Sequence, residues 1–190
     1  MQPDPYRYIE AAWIAVAIVW FFGALVAKRT ARRQSPAARL FQVGIVGLAF
    51  FLLYRNWVRF GWLAQRFVPR TPAVAWLGFS LTVIGCAFTI LARLHLGGNW
   101  SGTVTIKRGH TLVRTGPYAV VRNPIYTGLL VAALGTAIAL GHLRDLAATG
   151  TLLALYLYKI RVEERFMTEQ FSEQYLQYKR ETKTLIPFVW

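Results

Sequence analysis

Five apolar segments constrain the fold of this chain more than any other feature of its sequence. A helix that crosses the hydrocarbon core of a bilayer needs about 20 predominantly apolar residues. Hydrophobic residues make up 55% of the 190 residues and charged residues only 16%, which is apolar for a soluble domain. We therefore predict an all-α integral membrane protein with about five transmembrane helices. The segments cover residues 9–27, 39–54, 73–92, 122–141 and 145–160.

The basic residues predict how these helices are oriented. The chain has 22 Lys and Arg against 8 Asp and Glu, a net charge of +14. Most of the bases fall in residues 28–39, in residues 93–122 and in the tail after residue 158, which share one side of a five-span arrangement. The positive-inside rule then places the N-terminus outside and the C-terminal tail in the cytoplasm. No nucleic-acid-binding motif accompanies the charge, so the bases indicate a membrane surface rather than DNA or RNA.

Two further segments have the pattern of amphipathic helices. In residues 55–70, three arginines (Arg55, Arg59 and Arg66) fall on one helical face, which predicts an interfacial helix that reaches lipid headgroups. The polar tail after residue 160 carries a helical stripe and then Pro187, which predicts an amphipathic cytoplasmic helix. The stripe consists of Val162, Phe166, Phe171, Tyr175 and Tyr178.

The stretch TGPYAVVRNPIYTG, residues 115–128, places a polar turn at the edge of the fourth apolar segment. Asn123 is predicted to cap the fourth membrane helix, with Pro124 at its first position. A helix N-terminus beside Arg122 forms an anion site, suited to a carboxylate or a phosphate. From the turn alone, the simpler interpretation is that Arg122 marks the cytoplasmic end of a span.

The pair Glu163-Glu164 follows the fifth apolar segment directly. One interpretation is a salt-bridged helix face, because Arg161 and Arg165 lie within reach along a helix. The other is a carboxylate at the mouth of a cytoplasmic cavity, where it faces an amine-bearing ligand. The first is simpler when the pair is considered alone.

Other common sites are not predicted. The single cysteine, Cys86, excludes an internal disulfide, and three scattered histidines (His95, His110 and His142) lack metal-ligand spacing. We therefore predict no metal. Nucleotide-binding glycine motifs and the hydrolase G-x-S-x-G motif are also missing.

Taken in order, four pieces of the sequence resemble the isoprenylcysteine carboxyl methyltransferase family, which is related to the phospholipid N-methyltransferases. The pieces are LGGNWSG, LVRTGPYAVVRNPIYTG, the Glu-Glu pair and FSEQYLQYKRETKTLIPF. They match a family pattern of a G-P-Y turn, R-H-P-x-Y-x-G, a membrane hairpin, two glutamates and a tyrosine-containing tail with a closing proline. The resemblance covers about residues 93–188.

This resemblance implies a polytopic methyltransferase that uses S-adenosylmethionine and releases S-adenosylhomocysteine. It implies a cytoplasmic cofactor pocket closed by the C-terminal segment, and an amphiphilic or prenylated acceptor that enters from the bilayer. Residues 1–190 would form a single membrane domain, with anchoring helices in residues 1–72 and the catalytic core in residues 73–190.

The resemblance also implies roles for individual residues. Arg122 suits the carboxylate of the cofactor and either glutamate suits its ammonium, while Arg122 or Arg161 suits an acceptor carboxylate. The expected catalytic residues are Arg122, Glu163, Glu164 and Arg161. The expected cofactor-binding residues are Gly116, Pro117, Tyr118, Arg122, Asn123, Pro124, Tyr126, Gly128, Glu163, Glu164, Tyr175 and Tyr178.

Asn123 departs from the family pattern, which often has histidine at this position. An amide can replace a histidine that only donates a hydrogen bond to the cofactor, and we favour that role because methyl transfer to a carboxylate removes no proton.

Three alternatives to a carboxyl methyltransferase remain open at this stage. A phospholipid-type N-methyltransferase would use an amine acceptor. A steroid-reductase type of enzyme would use NADPH, but its related motif is usually followed by an acidic residue, and here Leu129 follows Gly128. A membrane binding protein would keep the fold without chemistry.

Overall fold

The computed structural model describes residues 4–25, 30–33, 40, 43–49, 51, 61–99, 105–107 and 112–188. Helices dominate this part of the chain, as predicted. They are α1 (Pro5–Leu25), α2 (residues 43–49), α3 (Pro72–Leu96), α4 (Pro117–Val120), α5 (Pro124–Leu140) and α6 (Leu143–Glu181). Turns of 3-10 helix occupy Gly61–Ala64 and Gly97–Asn99. The strands β1 (Thr30–Arg33) and β2 (Thr105–Lys107) form an antiparallel pair, which the all-α prediction missed.

The predicted spans correspond to these helices to different degrees. Among the described residues, α1 and α3 are long and apolar enough to cross a membrane, and α5 is a shorter apolar helix of 17 residues. The predicted segment 39–54 is helical at residues 43–49, and part of it lies outside the described residues. A count of five spans therefore stays a prediction.

The polar tail is helical as far as Glu181, in agreement with the prediction of a C-terminal helix. The fifth apolar segment runs directly into this tail, and two helical stretches of α6 meet at a kink at Ser172. No glycine or proline interrupts residues 158–171, so the change from apolar to polar composition does not end the helix. At the kink Ser172 has φ 43° and ψ −119°, a conformation that costs a residue with a side chain about 1–3 kcal/mol.

The predicted interfacial helix is not an α-helix in its described part. Arg55 and Arg59 lie outside the described residues, and residues 61–64 form a 3-10 turn after which no helix continues. Arg66 does not extend along a helix face toward headgroups. Its guanidinium donates to the carbonyls of Leu140, at 3.0 Å, and Val68, at 3.2 Å. The side chain therefore caps the C-terminal end of α5, where backbone carbonyls lack helical partners.

The closest helix contact in the described structure joins α3 to α5, which run antiparallel. A methyl group added at Gly78 would lie 2.5 Å from the amide nitrogen of Ala139, and one at Gly135 would lie 2.5 Å from that of Thr82. Such distances mean that the two backbones touch, with small residues on both sides of the contact. The contact residues follow helical spacing: Gly78, Thr82, Gly85 and Thr89 on α3, and Gly128, Ala132, Gly135 and Ala139 on α5.

Threonine hydroxyls add polar bonds to this apolar contact. The hydroxyls of Thr82 and Thr136 lie 3.2 Å apart, and the Trp13 indole of α1 donates to Thr136 over 3.0 Å. Nearer the other end of the helices, Thr89 donates to the carbonyl of Ile125 over 3.2 Å. These bonds join three helices and satisfy each buried hydroxyl, which would otherwise be costly in an apolar environment.

The helix directions divide the bundle into two ends. The C-terminus of α3 and the N-terminus of α5 lie at one end, where the functional site is described below. At the opposite end, the Tyr6 hydroxyl of α1 donates to the carbonyl of Ala139, and His142 and Asp145 form a capping box that begins α6. The N-terminal end of α1 and the site are therefore on opposite ends of the bundle.

The α3–α5 contact predicts a sharp difference between two glycine substitutions. In Gly85→Ala the new methyl group would lie 2.5 Å from the Gly128 carbonyl oxygen, so the backbones must separate and about 1–3 kcal/mol of stability is lost. Gly150→Ala in α6 is the matched control, because nothing lies within 4 Å of a methyl group there. Thermal unfolding of the detergent-solubilised variants measures the difference. Equal melting temperatures would contradict the contact.

Candidate functional site

A glycine turn builds the first wall of the site. Gly116 has φ 59°, which favours glycine, and Pro117 begins the short helix α4. A methyl group at Gly116 would meet the His95 ring at 2.8 Å, so the turn packs directly on the end of α3. The His95 ring bonds Thr115 and stacks on Tyr118. Tyr118 is buried, and its hydroxyl donates to the carbonyl of Ala92.

The first turn of α5 forms the second wall. Asn123 occupies the N-cap position and Pro124 the first helical position, as predicted from the sequence. The predicted side-chain cap is not formed. Instead, the Asn123 amide nitrogen donates over 3.2 Å to the carbonyl of Thr184, because a later segment of the chain lies against this turn.

That later segment, residues 182–185, is called the strap below. It runs parallel to residues 121–123, through a bridge between Val121 and Lys183. The backbone N–H of Arg122 donates to the Lys183 carbonyl over 2.8 Å, and that of Asn123 to the Thr184 carbonyl over 3.2 Å. The Thr127 hydroxyl donates to the carbonyl of Leu185 over 2.8 Å. The four residues of the strap therefore lie along the start of α5.

Arg122 joins three parts of the site through one guanidinium group. Its Nε donates to the Glu164 carboxylate of α6 over 2.9 Å, and its terminal nitrogens donate to the carbonyls of Lys179 and Thr182 and to the Thr184 hydroxyl. The side chain is only 8% exposed. We call these contacts the Arg122 clasp, because they fasten the strap and the last turn of α6 to the start of α5.

The two neighbouring glutamates have different surroundings. Glu164 faces the Arg122 clasp on one side, and its second oxygen lies 3.0 Å from the Lys179 ammonium on the other. Glu163 accepts a hydrogen bond of 2.7 Å from the Tyr126 hydroxyl. Two cations therefore neutralise Glu164, whereas Glu163 is held by a neutral phenol.

Burial raises the pKa of the Glu163 carboxyl above its ordinary value. The Lys159 ammonium and the hydrogen bond from Tyr126 act in the opposite direction, and the charge of Glu164 raises this pKa further. Glu163 is therefore a carboxylate whose charge is incompletely compensated by the protein, as expected of a group that binds a cation.

Aromatic rings line the apolar side of Glu163. The rings of Tyr126 and Tyr156 stack with centroids 4.8 Å apart. The Lys159 ammonium lies 5.3 Å from the centre of the Tyr126 ring, within range of a cation–π interaction. Tyr156, Lys159 and Glu163 share one face of α6, since they are spaced by three and four residues. Tyr156 and Lys159 lie nearer than Glu163 to the apolar part of α6.

The remaining residues expected from the sequence lie around this centre or away from it. Tyr175 and Tyr178 are buried beyond the kink of α6, and the Tyr178 hydroxyl bonds the carbonyl of Tyr118. Gly128 faces α3, where a methyl group would collide with Thr89, so its place is in helix packing. Arg161 is exposed.

Sequence reasoning missed Lys159, Tyr156 and Thr184. Lys159 precedes Glu163 by one helical turn, and that spacing was the available signal. Thr184 contacts the start of α5 across some 60 residues, and no local pattern indicates such a pairing. Within the described residues no group of three or more His, Cys, Asp or Glu side chains could hold a metal ion.

Comparisons with known proteins identify the family of the chain. The sequence profile of the phospholipid methyltransferase family matches residues 73–174, more than half of the chain. A protein-S-isoprenylcysteine O-methyltransferase of Saccharomyces cerevisiae is 35% identical over 120 residues, which cover 57% of this chain and 49% of the yeast protein. The enzyme of the same name from Tribolium castaneum is 30% identical over 142 residues, 70% of this chain and 50% of the relative.

A solved structure is similar as well. The eukaryotic intramembrane Ras methyltransferase named isoprenylcysteine carboxyl methyltransferase aligns with a TM-score of 0.57 and 27% identity, over 84% of this chain and 55% of that one. This chain spans about half the length of the relatives it matches. It belongs to the phospholipid methyltransferase family, and within that family it is similar to the isoprenylcysteine carboxyl methyltransferases.

Proposed function

We propose that this protein is a membrane methyltransferase that uses S-adenosylmethionine to methylate the carboxylate of an amphiphilic acceptor. The observation that carries the proposal is the arrangement around Glu163. An incompletely compensated carboxylate, a lysine one helical turn away and two stacked tyrosines meet at the start of α5. The family and the named relatives support the reaction class.

The site residues fit the charged parts of this cofactor. S-adenosylmethionine supplies an electrophilic methyl group on a sulfonium, and it also carries an α-ammonium and an α-carboxylate. Glu163 would bind the ammonium, because its carboxylate has a neutral partner in Tyr126. The backbone N–H groups of Ile125 and Tyr126 in the first turn of α5 would bind the carboxylate, because Pro124 has no N–H and that of Asn123 bonds the strap. Asn123 and the Gly116–Tyr118 turn would complete the walls.

Arg122 and Glu164 take a different part in the proposal from the one expected from sequence. Both side chains are engaged by protein groups, at 8% and 14% exposure. They would act by holding the strap and the end of α6 over the cofactor, since the Arg122 clasp joins these segments. Tyr118, Tyr175 and Tyr178 would support the same closed arrangement.

Lys159 would bind the acceptor carboxylate. It lies closer than Glu163 to the apolar end of α6, so an acceptor arriving from the bilayer would reach it first. A carboxylate there forms a new C–O bond as the C–S bond breaks, its lone pair attacks the methyl carbon, and no proton is removed. Opposite charges cancel in this step, so exclusion of water by the tyrosines and the strap favours it.

An isoprenylcysteine is the acceptor class that the relatives' names suggest. The apolar helices α1, α3 and α5 would place the protein in the membrane. We propose that the site end faces the cytoplasm and the N-terminal end of α1 faces outside, because the bases are concentrated on the site's side of the chain.

A phospholipid-type N-methyltransferase is the second candidate, since the matching family profile has that description. An amine acceptor would meet like charge at Lys159. We therefore favour the carboxylate.

The first test compares the two glutamates by titration with S-adenosylhomocysteine. We expect Glu163→Gln to weaken binding at least about tenfold with little change in melting temperature, because it removes one charge-assisted contact. Glu164→Gln should instead lower stability by about 1–3 kcal/mol, since Arg122 and Lys179 lose their shared carboxylate. Parallel titrations with NADPH test the reductase alternative. Equal effects of both substitutions on binding would contradict the division of roles.

The pH dependence of binding gives a second test. Because burial raises the pKa of Glu163, affinity should be complete above that raised pKa and lost as the pH falls through it, at a higher pH than for a solvent-exposed glutamate. Tyr126→Phe removes a hydrogen bond that lowers this pKa, so the acid limb should move to still higher pH. Tyr156→Phe, which keeps the stacked ring, is the control. An acid limb unmoved by Tyr126→Phe would argue against Glu163.

The acceptor assignment is tested by methyl-transfer kinetics with an N-acylated isoprenylcysteine. Lys159→Gln should raise the acceptor KM about tenfold or more, as loss of a charge-assisted hydrogen bond implies, and change S-adenosylhomocysteine affinity less than about twofold. Arg165→Gln, an exposed base on the same helix, is the control. If Arg161→Gln has this effect and Lys159→Gln does not, the assignment to Lys159 is wrong.

A further inference from the structure

The residues that follow the strap form an exposed apolar tip, defined here as residues 186–188. Leu185 of the strap is buried, but Ile186 is 53% exposed and Phe188 is 92% exposed. Exposed aromatic and aliphatic side chains next to a polar segment are typical of contact with a partner or a membrane. The position of the tip distinguishes between these possibilities.

The strap leads the tip toward the apolar part of the bundle. Successive carbonyls of the strap, those of Lys183, Thr184 and Leu185, bond Arg122, Asn123 and Thr127 in that order. The strap therefore runs in the same direction as the chain does from the turn into α5. At a helical rise of 1.5 Å per residue, Thr127 lies about 4–5 Å further along the α5 axis than Pro124. The tip therefore emerges beside the first turn of an apolar helix, at the depth where a bilayer's polar boundary would begin.

Two exposed basic residues precede the tip in the chain. Arg180 lies in the last turn of α6 and Lys183 lies in the strap. Apolar side chains below and cations above are the pattern of segments that insert into the interface of a membrane containing anionic lipids. Each base near such a surface adds to the attraction.

We propose that the tip inserts into the interface of the bilayer, with Ile186 and Phe188 among the upper acyl chains and with Arg180 and Lys183 against anionic headgroups. The bilayer then holds the strap, and through it the Arg122 clasp, in the closed position. This second step rests on the proposed function, because it concerns a cofactor enclosed by the strap. The lipid would thus control how tightly the site retains its cofactor.

Depth-dependent quenching tests the insertion without reference to any cofactor. Phe188→Cys is labelled with an environment-sensitive dye in a Cys86→Ala background, since Cys86 is the single cysteine of the chain. The protein is placed as full chain in nanodiscs, and lipids with nitroxide groups at shallow or deep acyl positions are added. We expect strong quenching by the shallow nitroxide. Glu173→Cys, exposed on α6 beyond the kink, is the matched control and should be quenched little.

Either of two outcomes would overturn the insertion. A dye that is unquenched and reports water would place the tip in solution. A dye that is unquenched but reports an apolar environment would place it against protein, such as a second copy of the chain.

The role of the basic residues is tested by changing the lipid headgroup. Quenching of the Phe188→Cys label should be stronger in nanodiscs with phosphatidylglycerol than in pure phosphatidylcholine. Arg180→Gln should reduce that difference, since each base contributes about fivefold near an anionic surface. A label equally quenched in both lipids would reject the role of the bases.

The functional consequence is read from S-adenosylhomocysteine affinity. Phe188→Ser should weaken binding about tenfold in nanodiscs and less than about twofold in detergent, because detergent tails cover Phe188 without holding it at a fixed depth as the bilayer does. Phe22→Ser in α1, another exposed apolar position, should leave affinity unchanged in both. If the label is quenched but this difference in affinity is missing, the tip inserts into the bilayer but does not control how tightly the site retains its cofactor. Loss of all binding in the unmodified protein would count against the proposed function instead.

Discussion

The backbone contact between α3 and α5 is the constraint on which the site depends. Glycines on both helices let the two helix backbones touch, so the start of α5 has a fixed position relative to the end of α3. The turn that carries Gly116 packs on His95 at that end, and the strap pairs with residues 121–123, which lead into α5. A displacement of either helix would therefore change the distance between the two walls of the site. The packing of α3 against α5 therefore also sets the geometry of the site.

Local features of the sequence could be predicted because local chemistry decides them. Gly116-Pro117 and Asn123-Pro124 each begin a helix, and Glu163-Glu164 lies where the apolar part of α6 becomes polar. The direct join between the fifth apolar segment and the tail helix was not predicted, because the composition changes there while the helix does not end. The small-residue stripes of α3 and α5 are visible in the sequence, but such a stripe does not identify which helix packs against it. The different surroundings of the two glutamates depend on distant partners.

At the end of the bundle that holds the site, several charged side chains lie beside charges of opposite sign. Glu164 lies between two cations, and Arg114 pairs with Glu181 near the ring of Tyr178. These pairs give the last part of α6 its position without leaving buried charge unbalanced. Glu163 and Lys159 have an aromatic neighbour in Tyr126 instead. In our proposal, the same short segment of α6 therefore contains both the ion pairs that fasten the strap and the residues that bind ligands.

The Arg122 clasp has a consequence for the order of events during folding. Its bonds join residues separated by 42, 57, 60 and 62 positions in the chain, whereas a helical hairpin such as α5–α6 closes through a short turn. Contacts that close long loops pay more chain entropy before they form, so they are made late. The membrane hairpin should assemble first, as a scaffold without a binding site. The binding site would then form in one step, when the Arg122 guanidinium makes its hydrogen bonds to α6 and the strap.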